Sequence, residues 1–186
     1  HTHYSDAVAI KQLAINLSFI LILWSAGTNV SADQVRVAVA SNFSPAMKAL
    51  ELVFEELSGH QVVLSFGSTG KHYAQIKNGA PFDVFMAADI ERPRLLETQG
   101  LAQTDSRMTY ARGKLILWTS KSGIDDIKNT LLIGKDFRHL AVANPKLSPY
   151  GLAAQQVMIK LDVWPRLQPK LVRGENIAQT FQFVHS

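Results

Sequence analysis

The chain has 186 residues, 47% hydrophobic and 18% charged, which is enough apolar material for a buried core and outside the compositional range of disorder. Its formal charge is +4, but the 19 Lys and Arg are spread from Lys11 to Arg173 without a basic run, which argues against nucleic-acid binding. The absence of cysteine excludes disulfides, thiolate metal sites and cysteine nucleophiles.

In chain order, Lys11 precedes an apolar run from Leu13 to Trp24, then a small and polar stretch ending in Val30-Ser31-Ala32. This is the order of a secretory signal. The run is broken by Asn16 and Ser18 and is shorter than the roughly 20 residues that span a bilayer, so cleavage after Ala32 is expected. With no Cys after that point for a lipid anchor, the expected address is the periplasm. Residues 1–32 are set aside as upstream residues and signal peptide.

Val35 to Ala40 reads as a strand, and Pro45 to Leu57 as a helix with Met47, Leu50, Val53, Phe54 and Leu57 on one face. Strands at Gln61–Phe66 and Phe82–Ala87 alternate with helices at Gly70–Asn78 and Ile90–Gln99. A second series holds strands at Lys114–Ser120, His139–Ala143 and Lys170–Val172. Its helices are expected at Ile127–Ile133, Pro149–Leu161 and Gly174–Val184. Alternation of this kind predicts an α/β fold with parallel sheets flanked by helices. Trp118 and Trp164 read as core.

In open parallel sheets ligands sit beyond the carboxyl ends of the strands, beside helix N-termini. Four strand-to-helix junctions are therefore candidates. At Ser41-Asn42-Phe43-Ser44-Pro45, Ser44 is the expected cap, which leaves Ser41 spare. Gly67-Ser68-Thr69-Gly70-Lys71 presents hydroxyls and amides at a helix start but lacks the spacing of a nucleotide-binding P-loop. Asn144 to Gly151 leads into a helix with free amides at Tyr150 and Gly151, and Gly174-Glu175-Asn176-Ile177 opens the last helix with Asn176 as its cap. Gathered at one cleft, these junctions would bind a dianion through uncharged donors, because each helix start carries about half a positive charge. Such a site favours a fully ionised oxyanion over one that still carries a proton.

The residues around Ser41-Asn42-Phe43, the run Ser65 to Lys71, the block Gly79-Ala80-Pro81-Phe82-Asp83-Val84-Phe85-Met86-Ala87-Ala88-Asp89, and Leu140 to Pro145 with Pro149-Tyr150-Gly151 resemble the periplasmic molybdate-binding proteins of ABC transporters. The resemblance runs from Val35 to about Val184. It implies a two-lobed periplasmic-binding-protein fold, with lobe 1 at residues 33–111 and lobe 2 at 112–186. It also implies capture of molybdate or tungstate by a monomer and delivery to a membrane permease, with no catalysis, no cofactor and no direct cation site. By the same likeness, Ser41 and Thr69 would bind oxyanion oxygens through hydroxyl and amide, Tyr150 and Ile177 through amides, and Ser68 is the fallback for Thr69. The family continues with a tyrosine-bearing strand and a segment returning to the first lobe. Neither is present, so the second lobe and the return are expected to be incomplete, and stability and binding to be weak.

Three rival readings exist. A binding protein for sulfate or another oxyanion would use the same donors. A serine hydrolase would need Ser41 or Ser68 beside a base such as His72 or His139, but no G-x-S-x-G motif occurs, and His72 on a helix after Lys71 is expected to be exposed. His60, His72, His139 and His185 lack metal-ligand spacing. A ferric-ion site would want clustered tyrosines, and Tyr73, Tyr110 and Tyr150 are isolated.

Overall fold

The computed structural model describes residues 33–122, 126, 129 and 137–185. The expected signal sequence at residues 1–32 and most of the helix expected at Ile127–Ile133 lie outside the described residues. Two parallel sheets organise the rest, within one compact unit beginning at Asp33.

The first sheet has β1 (Gln34–Ala40) at its centre, between β2 (Gln61–Gly67) and β3 (Val84–Met86), both parallel to it. Central position explains its residues. Val37, Ala38, Val39 and Ala40 are all buried, as expected of a strand covered on both faces. Between these strands run α1 (Ser44–Ser58) and α2 (Thr69–Lys77), and α3 (Glu91–Thr98) follows β3. Helix α1 ends at Gly59, whose φ of 72° is the left-handed cap conformation glycine tolerates best. Its apolar stripe forms as expected, yet Leu50, Val53, Phe54 and Leu57 remain exposed, because no described element covers them.

The second sheet pairs β4 (Leu140–Ala143) with β5 (Leu171–Gly174), again parallel. Helix α4 (Pro149–Lys160) follows β4, a short α5 (Trp164–Leu167) precedes β5, and α6 (Ile177–His185) follows β5. Val142, Met158, Val163 and Leu167 form the core here, with Trp164 packed against it.

Four expectations fail, one of them, the exposure of His72, at the site described below. Lys114–Ser120 is not a strand; it pairs with neither β4 nor β5, and without a ladder partner its apolar residues Leu115, Ile116 and Leu117 stay exposed. Trp118 is 39% exposed and stacked on Phe181 at 4.8 Å, so it is a surface ring pair and not core. Ser44 does not cap α1 through its side chain; its hydroxyl donates to the Ser41 carbonyl at 2.8 Å, which tightens the turn at residues 41–43.

Candidate functional site

Parallel register sets the site. Ala40 of β1 lies opposite Gly67 of β2, so the residues leaving those strands, Ser41 and then Ser68 and Thr69, emerge side by side at the carboxyl edge of the first sheet. In the second sheet Ala143 lies opposite Gly174, and the Asn144 amide donates to the Gly174 carbonyl at 2.7 Å. Tyr150 and Ile177 thus open helices at the carboxyl edge of that sheet. The two edges meet: the Gly70 amide donates to the Leu147 carbonyl at 2.8 Å, Lys71 pairs with Glu175 at 3.1 Å, and α6 packs against the turn at Ser41–Phe43. All four sequence-derived candidates therefore belong to one junction.

Ser41 is 8% exposed and Thr69 1% exposed. The Ser41 hydroxyl has no hydrogen-bond partner among the described residues. Thr69 Oγ1 accepts from the Ala88 amide at 3.1 Å, which ties α2 to the end of β3 and leaves the hydroxyl proton available to an acceptor. Ser68, the fallback, caps α2 by accepting from the Lys71 amide at 3.3 Å. Asn176 caps α6, as its position implied, by accepting from the Gln179 amide at 3.0 Å.

Helix starts leave amides without intrahelical partners, so their fate can be followed one by one. In α2 the amides of Gly70, Lys71 and His72 go to Leu147 O, Ser68 Oγ and Ser68 O, which leaves that of Thr69. In α4 the Leu152 amide goes to Ser148 O, which leaves those of Tyr150 and Gly151. In α6 the Gln179 and Thr180 amides go to Asn176, which leaves those of Ile177 and Ala178. These left-over donors, with the Ser41 and Thr69 hydroxyls, form a set suited to an anion and lacking any acid or base.

Close packing fixes the helix starts. A Cβ on Gly151 would run into the Ala143 carbonyl, and one on Gly70 would lie 2.8 Å from the Leu147 oxygen. Only glycine lets α4 and α2 seat this deeply. Beside the junction is a cleft of about 800 Å³ lined by Asn42, Phe43, Asp89, Tyr110 and Tyr150, among others. Tyr110 donates to the Ala87 carbonyl at 2.7 Å and meets the Phe43 ring edge-on; burial, and secondarily Tyr150, raise its pKa, so it stays a neutral donor.

His72 is buried, against the expectation of an exposed helix position. Its Nε2 sits 3.2 Å from the Val39 carbonyl, Nδ1 lies 3.0 Å from the Gln75 side chain, and the rings of Phe82 and Phe85 stand edge-on. Helical periodicity placed it on α2, but only the tertiary packing of α2 on β1 shows that this face points inward. Burial, first, and then the Lys71 charge lower its pKa, outweighing the two hydrogen bonds, so it is neutral near pH 7. With Nε2–H given to a backbone carbonyl, no hydrogen bond joins it to Ser41 or Ser68, the geometry a hydrolase would need. Asn42 and the buried Ser148, which also border the junction, were not singled out from the sequence, where nothing separates them from ordinary turn residues. Among the described residues no group of three or more His, Asp or Glu side chains could hold a metal ion, and no helix is long and apolar enough to cross a membrane.

Residues 35–186 match the family model described as bacterial extracellular solute-binding protein, and the chain belongs to that family. Among its relatives, the molybdate-binding protein ModA of Azotobacter vinelandii is 47% identical over 175 residues, 92% of this chain and 69% of the relative. ModA of Rhodobacter capsulatus is 44% identical over 82% of this chain and 60% of its own length. The solved structure of the Azotobacter vinelandii periplasmic molybdate-binding protein superposes with a TM-score of 0.76 at 41% identity, covering 81% of this chain and 66% of that one. The chain thus spans about two thirds of the length of these relatives.

Proposed function

We propose that this chain is the periplasmic solute-binding component of an ABC transporter, taking up molybdate or tungstate and passing it to a membrane permease without chemistry. The observation that supports the reading is the meeting of two carboxyl sheet edges, which brings into contact the helix starts that carry the left-over amides and the two buried hydroxyls. The names of the relatives supply the ion. Ser41 and Thr69 would bind through hydroxyl and amide, Tyr150 and Ile177 through amides. Ser68 would substitute for Thr69.

Two lobes, 33–111 and 112–186, would close on the ion as hinged binding proteins do. The protein would act as a monomer, need no cofactor, bind no nucleic acid and reach the periplasm through the signal at residues 1–32. Donors alone also explain selectivity: hydrogen phosphate would aim its proton at another donor, whereas molybdate and tungstate have none to misplace.

Competitive isothermal titration tests the reading. Molybdate and tungstate should give one-to-one heats that displace each other, with sulfate weaker and phosphate weaker still. Saturation by sulfate or phosphate at lower concentration than molybdate would refute the choice of ion.

A further inference from the structure

Arg92, at the start of α3, is not one of the anion donors, yet its guanidinium lies where the two sheet edges meet. Asp89 holds it from one side through a side-chain ion pair and also accepts from the Arg92 amide at 2.9 Å, so the pair is anchored to the helix start. From the other side Nη2 donates to the Lys146 carbonyl at 3.2 Å. The next carbonyl, Leu147, is taken by the Gly70 amide at 2.8 Å, and a Cβ on Gly70 would lie 3.2 Å from Arg92 Nη2. Two consecutive carbonyls of the loop after β4 are therefore gripped by donors from the first-sheet side. That loop runs through Ser148 into α4, whose first free amide is that of Tyr150.

We propose that Arg92, aimed by Asp89, is a positioning residue that docks the Lys146–Leu147 loop and so sets the Tyr150 amide opposite Ser41 and Thr69 in the closed, anion-bound form. This rests on the oxyanion-binding reading above and adds a part to it. Arg92 and Asp89 side chains are 21% and 19% exposed, so their ion pair is partly desolvated and not a fully hydrated surface pair, while the bond from Nη2 to the Lys146 carbonyl lies at the exposed rim of the junction. Arginine suits the task because its planar fork can serve the Asp89 carboxylate with one nitrogen and the Lys146 carbonyl with the other. A lysine offers a point charge and cannot hold that geometry.

The test is stopped-flow and equilibrium binding of molybdate to the full chain carrying Arg92→Gln or Arg92→Lys, alongside the parent. The contact spans the edges that close on the ion, so its loss should fall on release. Arg92→Gln should weaken binding about tenfold, mostly through faster dissociation, with association within about twofold. Arg92→Lys should lie between it and the parent, and the ligand-free melting temperatures of all three should agree closely. Arg92→Gln affinity within twofold of the parent would overturn the proposal while leaving the oxyanion reading intact. So would a loss carried by a fall in ligand-free stability, which would make Arg92 merely structural. A parent that binds no oxyanion would overturn both.

Discussion

Ser41 and Thr69 carry the same chemical group but spend it differently, and this separates binding from folding. The Thr69 hydroxyl is used inside the protein, accepting from the Ala88 amide, so Thr69→Val orphans a backbone donor and should cost about 1–3 kcal/mol of stability, read from denaturant midpoints. The Ser41 hydroxyl serves no described residue, so Ser41→Ala should leave the midpoint nearly unchanged while weakening molybdate binding about tenfold or more, read by titration. His72 supplies a pH signature. Because burial keeps its folded pKa below the ordinary value of 6.5, the unfolded chain takes up a proton that the folded chain refuses. Its contribution to stability is complete above about pH 6.5 and is lost as pH falls from there toward the folded value. Melting temperatures between pH 7.5 and 5 should therefore fall less steeply in His72→Leu than in the parent.

Among the elements, glycine at a helix start matters more than helix propensity. Alanine normally favours a helix over glycine by about 1 kcal/mol, but in α4 the added carbon of Gly151→Ala would collide with the Ala143 carbonyl and lift the Tyr150 amide away from β4. Gly151→Ala should thus lower the melting temperature and weaken anion binding together; a melting temperature at or above that of the parent would show that the close approach is dispensable. The same elements show what was legible in the sequence. Strand and helix alternation is local, so β1 to β3, α1 to α4 and the four junctions could be read from β-branched runs, caps and glycines. The failures are non-local. Lys114–Ser120 has a strand's residues, but strand formation needs a partner backbone, which no pattern within the segment reveals. Trp118 has a core residue's character, but its burial depends on what the rest of the chain lays over it. The inward turn of His72 and the grip of Arg92 on the Lys146 carbonyl likewise depend on how elements pack, and periodicity is silent on that.

For the molecule as a whole, the two parallel sheets direct their carboxyl edges, and hence their helix starts, at a common junction. Under the proposed reading, that arrangement would let peptide amides and hydroxyls neutralise a dianion where a lysine or arginine would otherwise be required. Lys71 and Glu175 bridge the edges at the surface, 52% and 44% exposed, and are too hydrated to decide affinity. The most direct measurement is a crystal structure of the chain with bound tungstate, the metal located by anomalous scattering. The account predicts one tetrahedral ion between Ser41, Thr69 and the first turns of α4 and α6, its oxygens meeting only hydroxyl and amide donors. An ion seated elsewhere, or one ligated at the metal by histidine or carboxylate, would contradict it.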